Sequence, residues 1–179
     1  MVIKKVTVKW NNPNNYQQLR ILFYDQDGNL FESGDIISDN GLDCETENFK
    51  VTYTGTLYRS VYNPIYAVLT TSYKDIGTAA YYHYFQGGGS TESLFTIEFK
   101  TIESISKIKI CTILDYDGKR GSSSLDIYDI CDNTESYIFD DTNSNYGTIH
   151  EYNLPVMAYN INKIGIAETT ISTNIQKLK

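Results

Sequence analysis

Apolar and polar residues alternate in step along four separate stretches of the chain. In Val6-Thr-Val8-Lys-Trp10 the apolar side chains fall on one face, with Lys5, Thr7 and Lys9 on the other. Phe49-Lys-Val51-Thr-Tyr53 and Phe95-Thr-Ile97-Glu-Phe99 repeat the pattern. Over 106–114, Ile108, Ile110 and Leu114 oppose Lys107 and Lys109. A period of two sends neighbouring side chains to opposite faces, so each stretch predicts a strand with one face in a core and one toward water. Antiparallel sheets carry this alternation.

The punctuation between the stretches agrees. Leu19 to Tyr24, then Asp25-Gln-Asp27-Gly28-Asn29, then Leu30-Phe31 predicts a hairpin, because Asp-Gly supplies the positive φ such turns need. A second Asp-Gly, at Asp117-Gly118, follows a strand that ends near Leu114. Asn63-Pro64 predicts a short helical turn to about Leu69, with Asn as its cap and Pro at the first helical position. Tyr159-Asn-Ile161 and Ile164-Gly-Ile166 alternate on opposite phases across Lys163, the mark of a β-bulge. Nine or ten strands without a repeat or a Gly/Pro-rich linker predict an all-β chain: one antiparallel β-sandwich, of jelly-roll type, over residues 1–166. Residues 167–179 are polar, with Ile171, Ile175 and Leu178 at helical spacing, and read as a C-terminal tail docked on a partner chain.

Composition strengthens the β reading. The 179 residues include 16 Tyr, 21 Ile and 18 Thr but 5 Ala, which favours pleated, half-buried surface over long helices. The formal net charge of −7 argues against a protein that tracks nucleic-acid phosphates and against adsorption to anionic lipid. No stretch has the run of roughly 18 apolar residues that a membrane span needs. The start alternates charged and apolar residues, so synthesis in a bacterial cytoplasm without a signal peptide is expected. Cys44, Cys111 and Cys131 form no Cys-x-x-Cys pair and are expected to be small buried thiols. Cys111 and Cys131 could lie on adjacent strands.

From Asn63 to Asp141 the chain resembles the discoidin, or coagulation-factor type C, family of galactose-binding-like jelly rolls. The matching stretches are Pro64-Ile-Tyr-Ala67-Val-Leu, Ser93-Leu-Phe-Thr-Ile-Glu-Phe99, Ile102-Glu-Ser-Ile-Ser-Lys-Ile-Lys-Ile110, Arg120, Leu125-Asp-Ile-Tyr128 and Tyr137-Ile-Phe139. They follow the family's order of a proline-led helical turn, two strands, a loop carrying an Arg and a further strand. Where family members place an Asp-Gly whose backbone helps hold calcium, this chain has Leu69-Thr70-Thr71. No cofactor is therefore expected, and calcium lacks support in the sequence. The resemblance looks like that to the short, unsignalled jelly rolls of phages and phage-tail-like particles, which are carbohydrate-binding or particle-assembly modules.

The richest candidate chemistry is Tyr81-Tyr-His-Tyr-Phe85, which leads into Gly87-Gly-Gly89. Sugar C–H faces stack on aromatic rings while neighbouring polar groups bond hydroxyls. Tyr81, Tyr82, His83 and Tyr84 are the expected stacking residues; the plainer alternative is a strand with Tyr on both faces and a loose hairpin tip. Asp117 and Arg120, in Asp115-Tyr-Asp117-Gly-Lys-Arg120-Gly, are the expected hydroxyl ligands, because the resembled family keeps this loop near the ligand end. The alternative there is an exposed turn with a weak ion pair. Asp25-Gln-Asp27-Gly28 lacks the later bidentate Glu of a calcium loop and reads as a turn. Asp140-Asp141-Thr-Asn143-Ser-Asn145 reads as a solvated turn before it reads as a cation site.

No nucleophile–base pairing, phosphate-cradling loop or His-x-x-x-His pair accompanies His83 and His150, so no catalysis is expected. The expectation is a glycan-binding module of a virion or phage-tail-like particle, multi-copy or homo-oligomeric and in contact with other particle proteins. A purely structural virion protein, a capsid decoration or baseplate component without sugar affinity, is the alternative.

Overall fold

A computed structural model of the chain describes residues 1–10, 17–57, 63–71, 74, 76, 85–88, 93–114, 122–140 and 149–155. The chain is an antiparallel β-sandwich. The first layer is a seven-stranded sheet made of β1 (Ile3–Trp10), β3 (Ile36–Asn40), β4 (Asp43–Thr46), β5 (Phe49–Tyr53), β8 (Leu94–Phe99), β10 (Ser122–Asp129) and β11 (Thr134–Asp140). Its spatial order is β11-β10-β1-β8-β5-β4-β3. The second layer joins β12 (Ile149–Asn153), β9 (Ile105–Leu114), β2 (Gln17–Asp25), β7 (Phe85–Gly88) and β6 (Thr56–Leu57), in the order β12-β9-β2-β7-β6.

The four alternating stretches are strands, and their apolar faces meet between the layers. Val6, Val8, Phe49, Val51, Phe95, Ile97, Leu125 and Ile127 face Leu19, Ile21, Phe23, Phe85, Ile108 and Ile110, all buried. Thr7 departs from its predicted outward, solvated place. It does not share the apolar face of Val6 and Val8, but it lies between Thr96 and Asp126 on the two flanking strands and is buried there.

The 19–31 hairpin forms, although its return arm is brief. Leu30 makes a single bridge to Tyr24, and Phe31 N–H donates to the Phe23 carbonyl at 2.8 Å. The turn after Asn63 is a 3₁₀ helix, Pro64–Ala67, two residues shorter than predicted. Pro64 opens it, but Asn63 does not cap it with its side chain; its amide donates to Asp39 instead. Arg20, fully buried on β2, holds the turn against the sheet. Its guanidinium donates to the carbonyls of Tyr66 at 3.0 Å and Leu69 at 2.7 Å.

Two cysteines are buried as expected, and the third is not. Cys131 is exposed in the β10–β11 turn, and Cys111 sits on β9 in the other sheet, so the two are not neighbours on adjacent strands. Burial, with the Asp39 carboxylate that accepts from its thiol at 3.3 Å, pushes Cys44 up to about 12. A thiolate is the reactive form. A chromogenic disulfide reagent at pH 8 is therefore expected to titrate one thiol of the folded chain promptly and the other two after unfolding. Cys131→Ser should abolish the prompt phase; two or more prompt thiols would contradict the burial of Cys44 and Cys111.

Candidate functional site

The two poles of the sandwich differ. At one, two hairpin turns have the same construction. Asp25 N–H donates to the Asn29 carbonyl at 2.9 Å, and Gly28, at φ 83°, donates to the Asp25 carbonyl at 3.2 Å. Asp129 N–H donates to the Asn133 carbonyl at 3.0 Å, and Asp132, at φ 61°, donates to the Asp129 carbonyl at 3.1 Å. A type I turn followed by a left-handed residue closes both loops. In each, the first Asp accepts two backbone N–H groups and the side-chain amide of the closing Asn. The turn reading of 25–28 holds: the Asp25 carboxylate is occupied by its own turn.

The opposite pole is defined by strand ends. Trp10 pairs with Ser123, Lys9 with Leu94 and Ser122 with Asp140 in the larger sheet. In the smaller sheet Gln17 pairs with Leu114 and Gly87, and Ile149 with Cys111. Residues 11–16, 89–92, 115–121 and 141–148 connect these ends.

Tyr81, Tyr82, His83, Tyr84, Asp117 and Arg120 all lie outside the described residues, as do the 141–145 cluster, the 159–166 bulge and the 167–179 tail. Their anchors are described. Phe85, which starts β7, pairs with Leu19, and Leu114, which ends β9, pairs with Gln17 on the other side of β2. Two strand spacings and a two-residue offset put the two anchor points about 12 Å apart on one sheet. Phe85 itself is core. Its ring packs on Tyr53 at 4.6 Å and Phe95 at 5.0 Å between centroids, which separates it from the four aromatic residues before it. Gly87 has a packing reason rather than that of a loose tip. A Cβ there would stand 2.5 Å from Tyr53 Oη and 2.8 Å from its Cζ, so the glycine makes room for the buried Tyr53 ring.

A cluster the sequence reading missed lies along the side of the sandwich, where β11 and β12 are the edge strands of the two layers. Tyr137 and Tyr152 meet across the gap with ring centroids 4.3 Å apart, and His150 lies parallel to Tyr152 at 6.5 Å. Tyr137 donates its hydroxyl to Glu135 Oε2 at 2.8 Å. Burial first, and the adjacent carboxylate second, push Tyr137 up to about 12, so it remains a phenol and a donor at neutral pH. Alternation on 134–140 and 149–153 does not mark these side chains, because the aliphatic residues of both strands, Ile138 and Ile149, are the exposed ones. That they meet is set by topology, since fourteen residues and a change of sheet separate them.

Among the described residues no three His, Cys, Asp or Glu side chains are grouped to hold a metal ion. Comparison of the chain with family models, curated proteins and solved structures gives no match.

Proposed function

We propose that this chain is a non-catalytic carbohydrate-binding module, carried in many copies on a phage or phage-tail-like particle, that takes cell-surface glycan at the pole opposite the two Asp turns. The observation that carries this reading is the gathering, at the pole opposite the two Asp turns, of the 11–16, 89–92, 115–121 and 141–148 connections, one of which bears Asp117 and Arg120, with the tight β3–β4 turn on the same side. Binding residues concentrate on connections held by a rigid scaffold. The resemblance of residues 63–141 to galactose-binding-like jelly rolls points the same way. In this reading Asp117 and Arg120 bond hydroxyls at that pole, and Tyr81, Tyr82, His83 and Tyr84, which enter β7 from the end away from it, supply ring faces. Each site is weak, and multiple copies raise the effective concentration.

Fluorescent full-length protein, displayed multivalently, is expected to bind intact bacterial cells or purified wall polysaccharide saturably. A variant with Tyr81, Tyr82 and Tyr84 changed to Ala, and a second with Asp117 and Arg120 changed to Ala, should each lose that binding while keeping the urea midpoint of the parent. No binding at high micromolar concentration would sink the lectin reading. It would favour a structural role in a particle, for which the exposed Ile36, Ile37 and Ile138 on the two edge strands of the larger sheet are the supporting observation.

A further inference from the structure

Between Phe31 and Phe49 the sequence holds six carboxylates, Glu32, Asp35, Asp39, Asp43, Glu45 and Glu47, and no lysine, arginine or histidine. The whole chain carries −7, and these six carboxylates lie on the β3–β4 hairpin or beside it. Lys74 pairs with Glu32 at 2.6 Å and Lys100 with Glu45 at 3.2 Å. Among the described residues no ion pair neutralises the other four.

The hairpin is also an edge. β3 is the last strand of the larger sheet and, among the described residues, pairs with β4 alone. Its other side presents backbone donors and acceptors of the kind that template an added strand. Apolar side chains stand beside them: Ile36 is 48% exposed and Ile37 60%, with Leu42 41% exposed in the turn. The register shifts between Ile36 and Ser38, so Ile37 is an extra, outward residue of a bulge.

We propose that the β3 edge docks an extended partner segment in which cationic residues alternate with apolar ones, added as an eighth strand beside Ile36–Asn40. Main-chain pairing gives such an added strand its affinity, and alternate side chains give its specificity. One face of the segment covers Ile36 and Ile37; the other sets its cations among Asp35, Asp43 and Glu47, whereas Asp39 lies on the Cys44 face with its carboxylate engaged by the Cys44 thiol and the Asn63 amide. The same acids oppose pairing with the β3 edge of a second copy, because like charges directly across strands repel. This surface is the far edge of the larger sheet, four strand positions from β1, although the β3–β4 turn points toward the glycan pole; the proposal stands whether or not the glycan reading holds.

The test uses the full chain and a labelled nine-residue peptide of alternating lysine and valine. Anisotropy should saturate, and hydrogen exchange of the Ile36–Asn40 amides should slow at least tenfold while the β11 edge is unchanged. Ile37→Lys and Asp35→Lys, both at exposed positions, should each weaken binding at least tenfold without moving the urea midpoint. A peptide of equal charge with alternate backbone nitrogens methylated cannot pair as a strand and should not bind. Equal binding of that peptide would reduce the effect to net charge and overturn the proposal. So would protection elsewhere, the absence of saturation, or sedimentation showing that the chain closes this edge with a second copy.

Discussion

Replacing Phe49 with alanine is expected to destabilise the fold by about 3–5 kcal/mol, the range for truncating a buried aromatic. Phe49 opens β5, is fully buried, and lies opposite Phe99 on β8. Its ring centroid is 5.5 Å from Phe23, 5.5 Å from Phe31 and 5.1 Å from Phe99, two of these contacts being edge-on. Phe23 belongs to the smaller sheet and Phe99 to the larger, so the ring is part of what holds the layers together. Alanine leaves a cavity whose other walls are aromatic faces fixed by their own strands, and such walls collapse poorly. Against a typical total stability of about 5–15 kcal/mol, this is a large fraction. Phe49→Leu should recover most of the loss, and Ile138→Ala, at a side chain 78% exposed, should change little. Urea midpoints at constant slope measure all three. A Phe49→Ala cost under about 1 kcal/mol, where exposed-site substitutions fall, would mean that this cluster does not join the sheets.

What could be read from the sequence follows from which faces are buried. β1, β5, β8 and β9 each have one face in the core and one outward, so alternation exposes them. β3 has no such contrast: four of its five residues are exposed, and its polar sequence looks like a loop. β6 is two residues long, and β7 passes through Gly87, whose role depends on Tyr53, a residue more than thirty positions away. Twelve strands among the described residues therefore exceed the nine or ten that patterning detects. The same physics limits the site. Runs of aromatic residues are visible in sequence, but their exposure is not, and Phe85 turned out to be core while its four neighbours lie outside the described residues. The Tyr137–Tyr152 contact was illegible for a different reason, because two edge strands on different sheets bring it together.

Asp129→Ala is expected to lower stability at pH 7 by about 2 kcal/mol, the scale of hydrogen bonds to a charged group, and to lose that effect in acid. The carboxylate is buried at the end of β10 and accepts from Cys131 N–H at 2.8 Å, Asn133 N–H at 2.9 Å and Asn133 Nδ2 at 2.8 Å. Burial pushes its pKa up, but the hydrogen bonds from Asn133 and Cys131 outweigh that and hold it below the ordinary carboxylate value. Asp25 is lowered in the twin turn too, chiefly by the Asn29 side chain. A depressed folded-state pKa means that the unfolded chain takes up the proton first as pH falls. The stabilisation is thus complete above the unfolded value of about 3.9 and disappears as pH drops through the lower folded value. Parent and variant should differ fully at pH 7 and converge toward pH 2. Asp25→Ala should show the same convergence with a smaller amplitude, because its turn is exposed and water replaces the lost acceptor. Urea unfolding of the three proteins between pH 2 and pH 7 decides it. A constant gap between parent and Asp129→Ala across that range would show that the turn depends on the shape of the side chain, with no contribution from its charge.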